Sequence, residues 1–313
     1  MRNIVCMTVR RLKDDASKEY NKDLSNLQTF KLYQAMAEIV AHSAKHFISE
    51  DFDVHLDQVN AAYPNNDFDY EIIKAPEEKS PWNERENIID TFSNEFEELN
   101  KEFGTVAYIV IHKDTIIAEK YYRGYSSDSS SNSFSMAKTF VSAMMAKAVE
   151  LGYINSLNDK VIDYIPELKG EFANDVRVID LASMTSGLDW DEGTSDPFSP
   201  VAKQYFVSDV EELMLNQPII EKPGERNHYS SGNTQLLSIL IERASGIKID
   251  KFFENEIWSK INPDNDAYWQ VDSKKKGNIK SFCCFHSNAR DFSRLGKLYL
   301  NYGNWNGNQI IDS

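Results

Sequence analysis

The strongest helical pattern in the chain covers residues 133–151. Apolar side chains recur there every three or four positions, so one stripe of an amphipathic helix is expected to be buried. The segment opens with Ser133-Phe-Ser-Met-Ala-Lys138, which places Ser135 in the first turn and Lys138 one turn further along the same face. The buried stripe is predicted to contain Met136, Phe140, Val141, Met144, Met145, Ala148 and Val149.

The pattern predicts a hairpin and a helix before this segment. Residues 105–112 and 115–122 are β-rich runs separated only by Lys113-Asp114, which is typical of a two-residue hairpin connection. Residues 84–103 carry apolar side chains at helical spacing and are followed by Gly104, so a helix is expected there. Further helices are predicted over residues 178–184, 208–215, 235–244, 252–261 and 289–300.

The first part of the chain is predicted to be a separate unit. Residues 1–75 read as a small α/β unit, with a strand over 4–9, a long helix over 24–48, and strands over 53–59 and 70–74. Residues 76–83 contain two prolines and few apolar side chains, which is typical of a linker. The sequence therefore predicts a domain boundary there, with one large domain over residues 84–313.

Composition excludes several classes of protein. An apolar content of 41% and an aromatic content of 12% indicate a folded globular chain of 313 residues. The formal net charge of −15 argues against a nucleic acid or an anionic membrane surface as partner. No apolar run approaches the roughly 18 residues that a membrane span needs. The apolar stretch at the N-terminus is too short for a signal-peptide core, so a cytoplasmic location is expected.

Cysteine and histidine give little sign of a metal or of structural disulfides. Cys6 is far from the adjacent pair Cys283 and Cys284, which is no disulfide framework. Cys283, Cys284 and His286 lack an evident fourth metal ligand. His42 and His46 are one helical turn apart but lack the glutamate of a H-E-x-x-H site, so surface histidines are favoured. No metal and no other cofactor are expected.

Ser135 and Lys138 have the residue types and spacing of an activated serine. A hydroxyl at a helix N-terminus lies among unpaired backbone N–H groups, and a nearby amine can help to take its proton. The S-x-x-K spacing occurs again at Ser245 and at Ser273, but these serines fall in a helix end and in a lysine-rich loop. An alternative interpretation is that Ser135 only caps its helix.

Four segments taken together resemble the serine β-lactamase and penicillin-binding-protein-like superfamily, on its class C and esterase side. They are Ser135-Met-Ala-Lys138, Leu181-Ala-Ser-Met-Thr-Ser-Gly-Leu188, the run Lys222-Pro-Gly-Glu-Arg-Asn-His-Tyr-Ser-Ser-Gly-Asn-Thr-Gln235, and the helix over residues 289–300 with the glycine-rich run after it. The Tyr-x-Ser form at Tyr229 is similar to the nylon-oligomer (aminohexanoate-dimer) hydrolases. The resemblance covers about residues 84–313.

The resemblance implies a fold and a set of roles. The fold would be α/β (α+β), with an antiparallel sheet flanked by helices and a helical subdomain. Ser135 would be the nucleophile, while Lys138 and Tyr229 would handle its proton. Ser231 would contact the substrate. Apart from the resemblance, the aromatic residues Trp190, Tyr205 and Phe198 are candidates for lining an acyl pocket and contacting the substrate, and the alternative is that these rings are simply packed.

Two departures from the family pattern stand out. Ser231 occupies the position that is usually asparagine, which argues against efficient β-lactam hydrolysis. The third family motif, a Lys/His-Thr/Ser-Gly strand, is expected beyond residue 313. The resemblance therefore implies a C-terminally truncated form that lacks its last strands, leaves the hairpin without partners, and is inactive and prone to aggregate.

The function predicted from these residues is hydrolysis of a small-molecule amide or ester through an acyl-enzyme. A β-lactamase or a D-alanyl-D-alanine carboxypeptidase is an alternative enzyme. A catalytically inactive β-lactamase-fold binding module is an alternative of another class. The sequence makes no prediction of the oligomeric state.

Overall fold

The structure is a computed structural model that describes residues 4–10, 68–193 and 199–312. The predicted elements over residues 24–48 and 53–59 lie outside these ranges, as do His42, His46 and Phe198. Among the described residues, no helix is long and apolar enough to cross a membrane.

The first sheet has four strands. Strands β4 (Thr105–His112) and β5 (Thr115–Tyr121) form the predicted antiparallel hairpin, and both connecting residues, Lys113 and Asp114, adopt positive φ angles of 51° and 61°. Strand β1 (Ile4–Arg10) runs antiparallel to β4, and strand β3 (Asn83–Ile89) runs parallel to β5, which gives the order β1-β4-β5-β3. The expectation that the hairpin lacks partners is therefore wrong for the described residues.

The helix predicted over residues 84–103 is half wrong. Its first part is strand β3, and helix α1 covers only Asn94–Glu102. Ser93 defines the start of α1, because its side chain accepts a hydrogen bond from the backbone N–H of Phe96 at 3.3 Å. The apolar spacing over residues 88–99 joins a strand to a helix, and such a run imitates one longer helix.

The second sheet also has four strands, of which the sequence pattern predicted only the one over residues 70–74. Its order is β2-β7-β8-β6, formed by β2 (Tyr70–Ile73), β6 (Ser131–Asn132), β7 (Ala267–Gln270) and β8 (Phe285–Ser287). All adjacent pairs are antiparallel. Strand β6 leads directly into the turn that carries Ser135, and the N–H of Ser133 donates to the carbonyl of Phe285 at 2.7 Å. This sheet therefore fixes where the Ser135 turn begins.

Helices flank both sheets, so the described residues form a mixed α/β fold, as the sequence predicted. The remaining helices are α2 (Ala137–Glu150), α3 (Val178–Ala182), α4 (Pro200–Phe206), α5 (Val210–Leu215), α6 (Ser231–Ser245), α7 (Ile249–Phe253) and α8 (Ala289–Leu300). A two-stranded hairpin, β9 (Asn304–Trp305) and β10 (Asn308–Gln309), follows α8.

Two strands that precede the predicted boundary near residue 75 pair with strands that follow it. Residues Ile4–Arg10 pair with β4, and Tyr70–Ile73 pairs with β7. The linker region is also attached, since the indole N–H of Trp82 donates to the carbonyl of Arg290 at 3.0 Å. The separate unit over residues 1–75 stays a prediction, since residues 11–67 lie outside the described part of the chain.

An aromatic cluster joins α2 to the second sheet. The ring of Phe140 stacks on Phe253 at 5.5 Å and meets Phe285 edge-on at 5.2 Å. Trp269 also contacts both Phe253 and Phe285 edge-on. All four side chains are almost completely buried, so this cluster sets the position of α2 and of the serine at its start.

We expect Phe140→Ala to destabilise the protein by about 3–5 kcal/mol, because it opens a cavity within this cluster. Urea denaturation followed by circular dichroism measures the loss. Ser142→Ala is the matched control, since Ser142 is exposed on the same helix, and it should change the free energy of unfolding by less than about 0.5 kcal/mol. Equal effects of the two substitutions would contradict this account of the core.

Candidate active site

Ser135 lies in a 3₁₀ turn, Phe134–Met136, immediately before α2. Phe134 has a positive φ of 46°, which is uncommon for a bulky residue. Its N–H donates to the side-chain oxygen of Asn132 at 2.8 Å, so strand β6 supports this conformation. The Ser135 side chain is half-buried and therefore remains accessible.

Lys138 is buried directly behind Ser135. Its Nζ donates to Ser135 Oγ at 3.0 Å and to the carbonyl oxygen of Phe282 at 2.9 Å. The residue is only 7% exposed. Burial lowers the pKa of Lys138 to about 8, and the nearby charge of Glu192 acts in the opposite direction. A lysine in this state exchanges protons close to neutral pH.

Tyr229 completes a group of three side chains. The Lys138 Nζ lies 5.2 Å from the centroid of the Tyr229 ring and 5.8 Å from that of Phe282. Both distances are within the range of cation–π contact. The structure thus brings together Ser135, Lys138 and Tyr229, which are separated by up to 94 positions in the chain (229 − 135).

Helix α6 begins four residues earlier than the sequence pattern indicated. Ser230 is its N-cap, with a side-chain oxygen that accepts from the N–H of Asn233 at 3.2 Å. Ser231 is then the first helical residue and is buried. The run of small polar residues hid this start, because it lacks the apolar spacing from which the helix was predicted.

Glu192 is a site residue that sequence reasoning missed. Its carboxylate accepts hydrogen bonds from the indole N–H of Trp190 at 2.8 Å, from the backbone N–H of Ser231, and from the Ser231 hydroxyl at 3.3 Å. Its charge also acts on Lys138. A single glutamate in an acidic loop carries no motif, so the available signal was its proximity in sequence to Trp190.

Trp190 and Ser231 are both held by this carboxylate. Trp190 is buried, and its ring lies so close to Gly232 that a Cβ at this position would be 2.7 Å from Trp190 Cε3. Leu188 Cδ2 would be only 2.8 Å from the same Cβ. In this structure, the Trp190 ring therefore packs against the start of α6, and Gly232 is needed for the close approach.

A cavity of about 210 Å³ adjoins this packing. Its lining includes Asp189, Trp190, Arg226, His228 and Asn233, whereas Ser135, Lys138 and Tyr229 do not line it. The cavity is thus separate from the three side chains described above.

The segment that provides the Phe282 carbonyl is tightly held. Cys283 and Cys284 are joined by a disulfide, which the sequence analysis did not predict. The indole N–H of Trp269 donates to the carbonyl of Cys283 at 2.9 Å. On the other side, the N–H of Ser281 donates to the Gln235 side chain at 3.1 Å, which ties the segment to α6.

Tyr205 packs against this segment, and its place in an acyl pocket stays a prediction. Its ring meets Phe282 edge-on at 5.0 Å, and its carbonyl accepts from Lys280 Nζ at 2.6 Å. Burial raises the pKa of Tyr205, with a further contribution from the charge of Glu192. Burial also lowers the pKa of Lys280 to about 8.

A comparison with known proteins identifies the family to which this fold belongs. The Beta-lactamase family model matches residues 92–281, more than half of the chain. The chain therefore belongs to the Beta-lactamase family. That assignment confirms the resemblance seen in the motifs.

Individual relatives are distant. The 6-aminohexanoate-dimer hydrolase of Paenarthrobacter ureafaciens is 25% identical over 230 residues, which are 69% of this chain and 57% of the relative. Protein flp of Staphylococcus aureus strain NCTC 8325 is 26% identical over 45% of this chain, and the match spans 28% of that protein. This chain thus spans little more than half the length of the first relative and less of the second.

A solved structure from Bacillus anthracis, provisionally assigned as a 6-aminohexanoate-dimer hydrolase, has a TM-score of 0.69 with this chain. The two are 23% identical, and the match covers 78% of this chain and 69% of that one. At this identity, the likeness establishes the fold.

We expect Gly232→Ala to destabilise the protein by about 1–3 kcal/mol, because the added methyl group overlaps Trp190 and Leu188. Thermal denaturation measures the loss. In a Trp190→Ala background the same substitution should cost less, since the ring that it meets is gone. A cost that is the same in both backgrounds would show that Trp190 does not pack on Gly232.

Proposed function

We propose that the protein is a serine hydrolase that cleaves an amide or ester bond through an acyl-enzyme at Ser135. The observation that carries the proposal is the hydrogen bond of 3.0 Å between Lys138 Nζ and Ser135 Oγ, made by a lysine that is buried and whose pKa is about 8. Such a lysine is neutral often enough near physiological pH to accept the serine proton.

In the first half of the reaction, Ser135 Oγ attacks the carbonyl carbon of the substrate while its proton passes to the neutral amine of Lys138. The lysine then carries a positive charge beside the Tyr229 ring. The carbon–nitrogen or carbon–oxygen bond breaks, and the leaving group takes a proton from the Lys138–Tyr229 pair. The acyl group stays on Ser135, and the positive end of α2 faces the developing oxyanion.

In the second half, water attacks the acyl carbon and gives its proton to the same pair. The bond to Ser135 Oγ breaks, the proton returns to the serine, and a carboxylic acid leaves. No group beyond water is needed to balance the two halves. Lys138 and Tyr229 therefore act first as base and then as acid, as proton conservation over a full cycle demands.

The substrate class that we favour is a small amide or ester. The relative from Paenarthrobacter ureafaciens is named for hydrolysis of the 6-aminohexanoate dimer. Ser231 replaces the asparagine of the usual motif, and its hydroxyl contacts Glu192, so no amide side chain is offered to a substrate at this position. This disfavours the alternative of a β-lactamase or D-alanyl-D-alanine carboxypeptidase.

We expect a fluorophosphonate probe to label the protein at Ser135, because the activated oxygen displaces fluoride from phosphorus. Ser135→Ala should abolish labelling, as read by peptide mass spectrometry. Ser245→Ala is the matched control: it has the same spacing to a lysine, but its hydroxyl donates to the carbonyl of Ile241 at a helix end. Unlabelled wild-type protein would favour the alternative of a catalytically inactive binding module.

We expect the rate of labelling to rise with pH and to level off above pH 8. Burial lowers the pKa of Lys138 to about 8, so the fraction of neutral amine increases through that pH. Lys138→Met should slow labelling by at least about 100-fold and remove this pH dependence. Labelling that is stopped at fixed times between pH 6 and pH 10 measures this pH dependence. An unchanged pH profile in Lys138→Met would assign the role of base to another residue.

A further inference from the structure

We propose that Glu192 is a positioning residue of this site: its carboxylate fastens the Tyr229 turn to the Trp190 loop and balances the positive charge that Lys138 acquires during the reaction. This inference rests on the proposed function, but parts of its test do not depend on that function.

The first argument is geometric. Glu192 accepts from three donors that belong to two different segments, namely Trp190 Nε1, the Ser231 N–H and the Ser231 hydroxyl. Ser231 follows Tyr229 by two positions, so the carboxylate holds the residues that fix where the tyrosine lies. A second contact between the same two segments joins His228 Nε2 to the carbonyl oxygen of Trp190 at 3.0 Å.

The second argument concerns the N-terminus of α6. A carboxylate that accepts from the first N–H of a helix is stabilised by the dipole and satisfies one of the unpaired donors there. Ser230 already caps the N–H of Asn233. The start of α6 therefore has two anchors, and the one supplied by Glu192 comes from outside the helix. Its loss would free the Tyr229 turn without unwinding α6.

The third argument is electrostatic. The Tyr229 ring lies against the Lys138 amine, and the charge of Glu192 reaches it from the loop. Two further titratable groups contact the segment that binds Lys138: Tyr205 packs on Phe282, and Lys280 donates to the carbonyl of Tyr205. Within the described part of the chain, Glu192 is the carboxylate whose charge acts on Lys138. The same charge acts on Tyr205, which indicates that it is felt across the site.

These arguments assign two separable effects to one side chain. The hydrogen bonds fix geometry, while the negative charge favours the ammonium form of Lys138. When the serine proton moves to Lys138, a positive charge appears in a buried place, and Glu192 offsets part of its cost. A purely structural glutamate would have the first effect and not the second.

The test compares Glu192→Gln, which removes the charge but keeps one oxygen acceptor, with Glu192→Asp, which keeps the charge but shortens the reach. In Glu192→Gln, the pH at which fluorophosphonate labelling of Ser135 reaches half of its plateau should fall, because the negative charge that favours the ammonium form of Lys138 is gone. The fall should be about 0.5–1 unit, since solvent screens a partly exposed charge. In Glu192→Asp, this midpoint should stay near that of the wild type while the plateau rate falls by about 10-fold, a loss typical of a displaced catalytic group.

Glu221→Gln is the matched control, because it removes one negative charge from an exposed glutamate that pairs with Arg226. It should leave the midpoint unchanged. A midpoint in Glu192→Gln that equals those of the wild type and Glu221→Gln would overturn the proposal. Far-ultraviolet circular dichroism and thermal denaturation of each variant show whether it remains folded.

Ionisation of Lys138 can also be measured without any reaction of Ser135. Competitive acetylation with acetic anhydride, followed by peptide mass spectrometry, measures the pH at which half of the Lys138 amines are ionised. A fall in Glu192→Gln supports the proposal even if no probe labels Ser135, in which case the proposed hydrolase function fails and the role of Glu192 stands. No fall in this assay contradicts the proposal whether or not Ser135 is labelled.

Discussion

The buried amine of Lys138 is the constraint on which the rest of the site depends. Removing an ammonium group from water is costly, and burial lowers the pKa of this lysine to about 8. Two fixed acceptors, Ser135 Oγ and the Phe282 carbonyl oxygen, make this position tolerable. One acceptor is the proposed nucleophile and the other belongs to a distant segment, so the lysine can face the serine only if that segment is in place.

Most of the second sheet can be understood as support for that distant segment. Strand β8 begins three residues after Phe282 and pairs with β6, which leads into the Ser135 turn. Trp269 on β7 donates to the carbonyl of Cys283, and Gln235 on α6 accepts from Ser281. The carbonyl that binds Lys138 is therefore held by two elements at once. Displacement of either element would move the Phe282 carbonyl and so disturb Lys138, although neither element needs to contact the lysine itself.

The sequence could predict the elements with strong periodicity and the residues within recognisable spacing. The Lys113-Asp114 hairpin and the amphipathic helix after Ser135 are of this kind. It could not predict β7 and β8, because three or four buried residues carry no readable period. Nor could it assign Glu192 or the Phe282 carbonyl to the site. Backbone carbonyls have no sequence signature, and one glutamate among the 49 acidic residues is distinguished only by where the fold places it.

The net charge of the chain and the pKa of Lys138 point in opposite directions, and this contrast explains why the position of Glu192 matters. A net charge of −15 should favour protonated lysines everywhere, yet the pKa of Lys138 falls. Exposed charges are screened over roughly 8–10 Å at physiological ionic strength, so the acidic surface acts weakly on a buried amine. Burial therefore dominates, and only a carboxylate close to the amine can oppose it. Glu192 occupies such a place, and its three hydrogen bonds keep it there. Burial thus sets the direction of the pKa shift of Lys138, and among the described residues Glu192 is the carboxylate that opposes it, whereas the acidic surface contributes little.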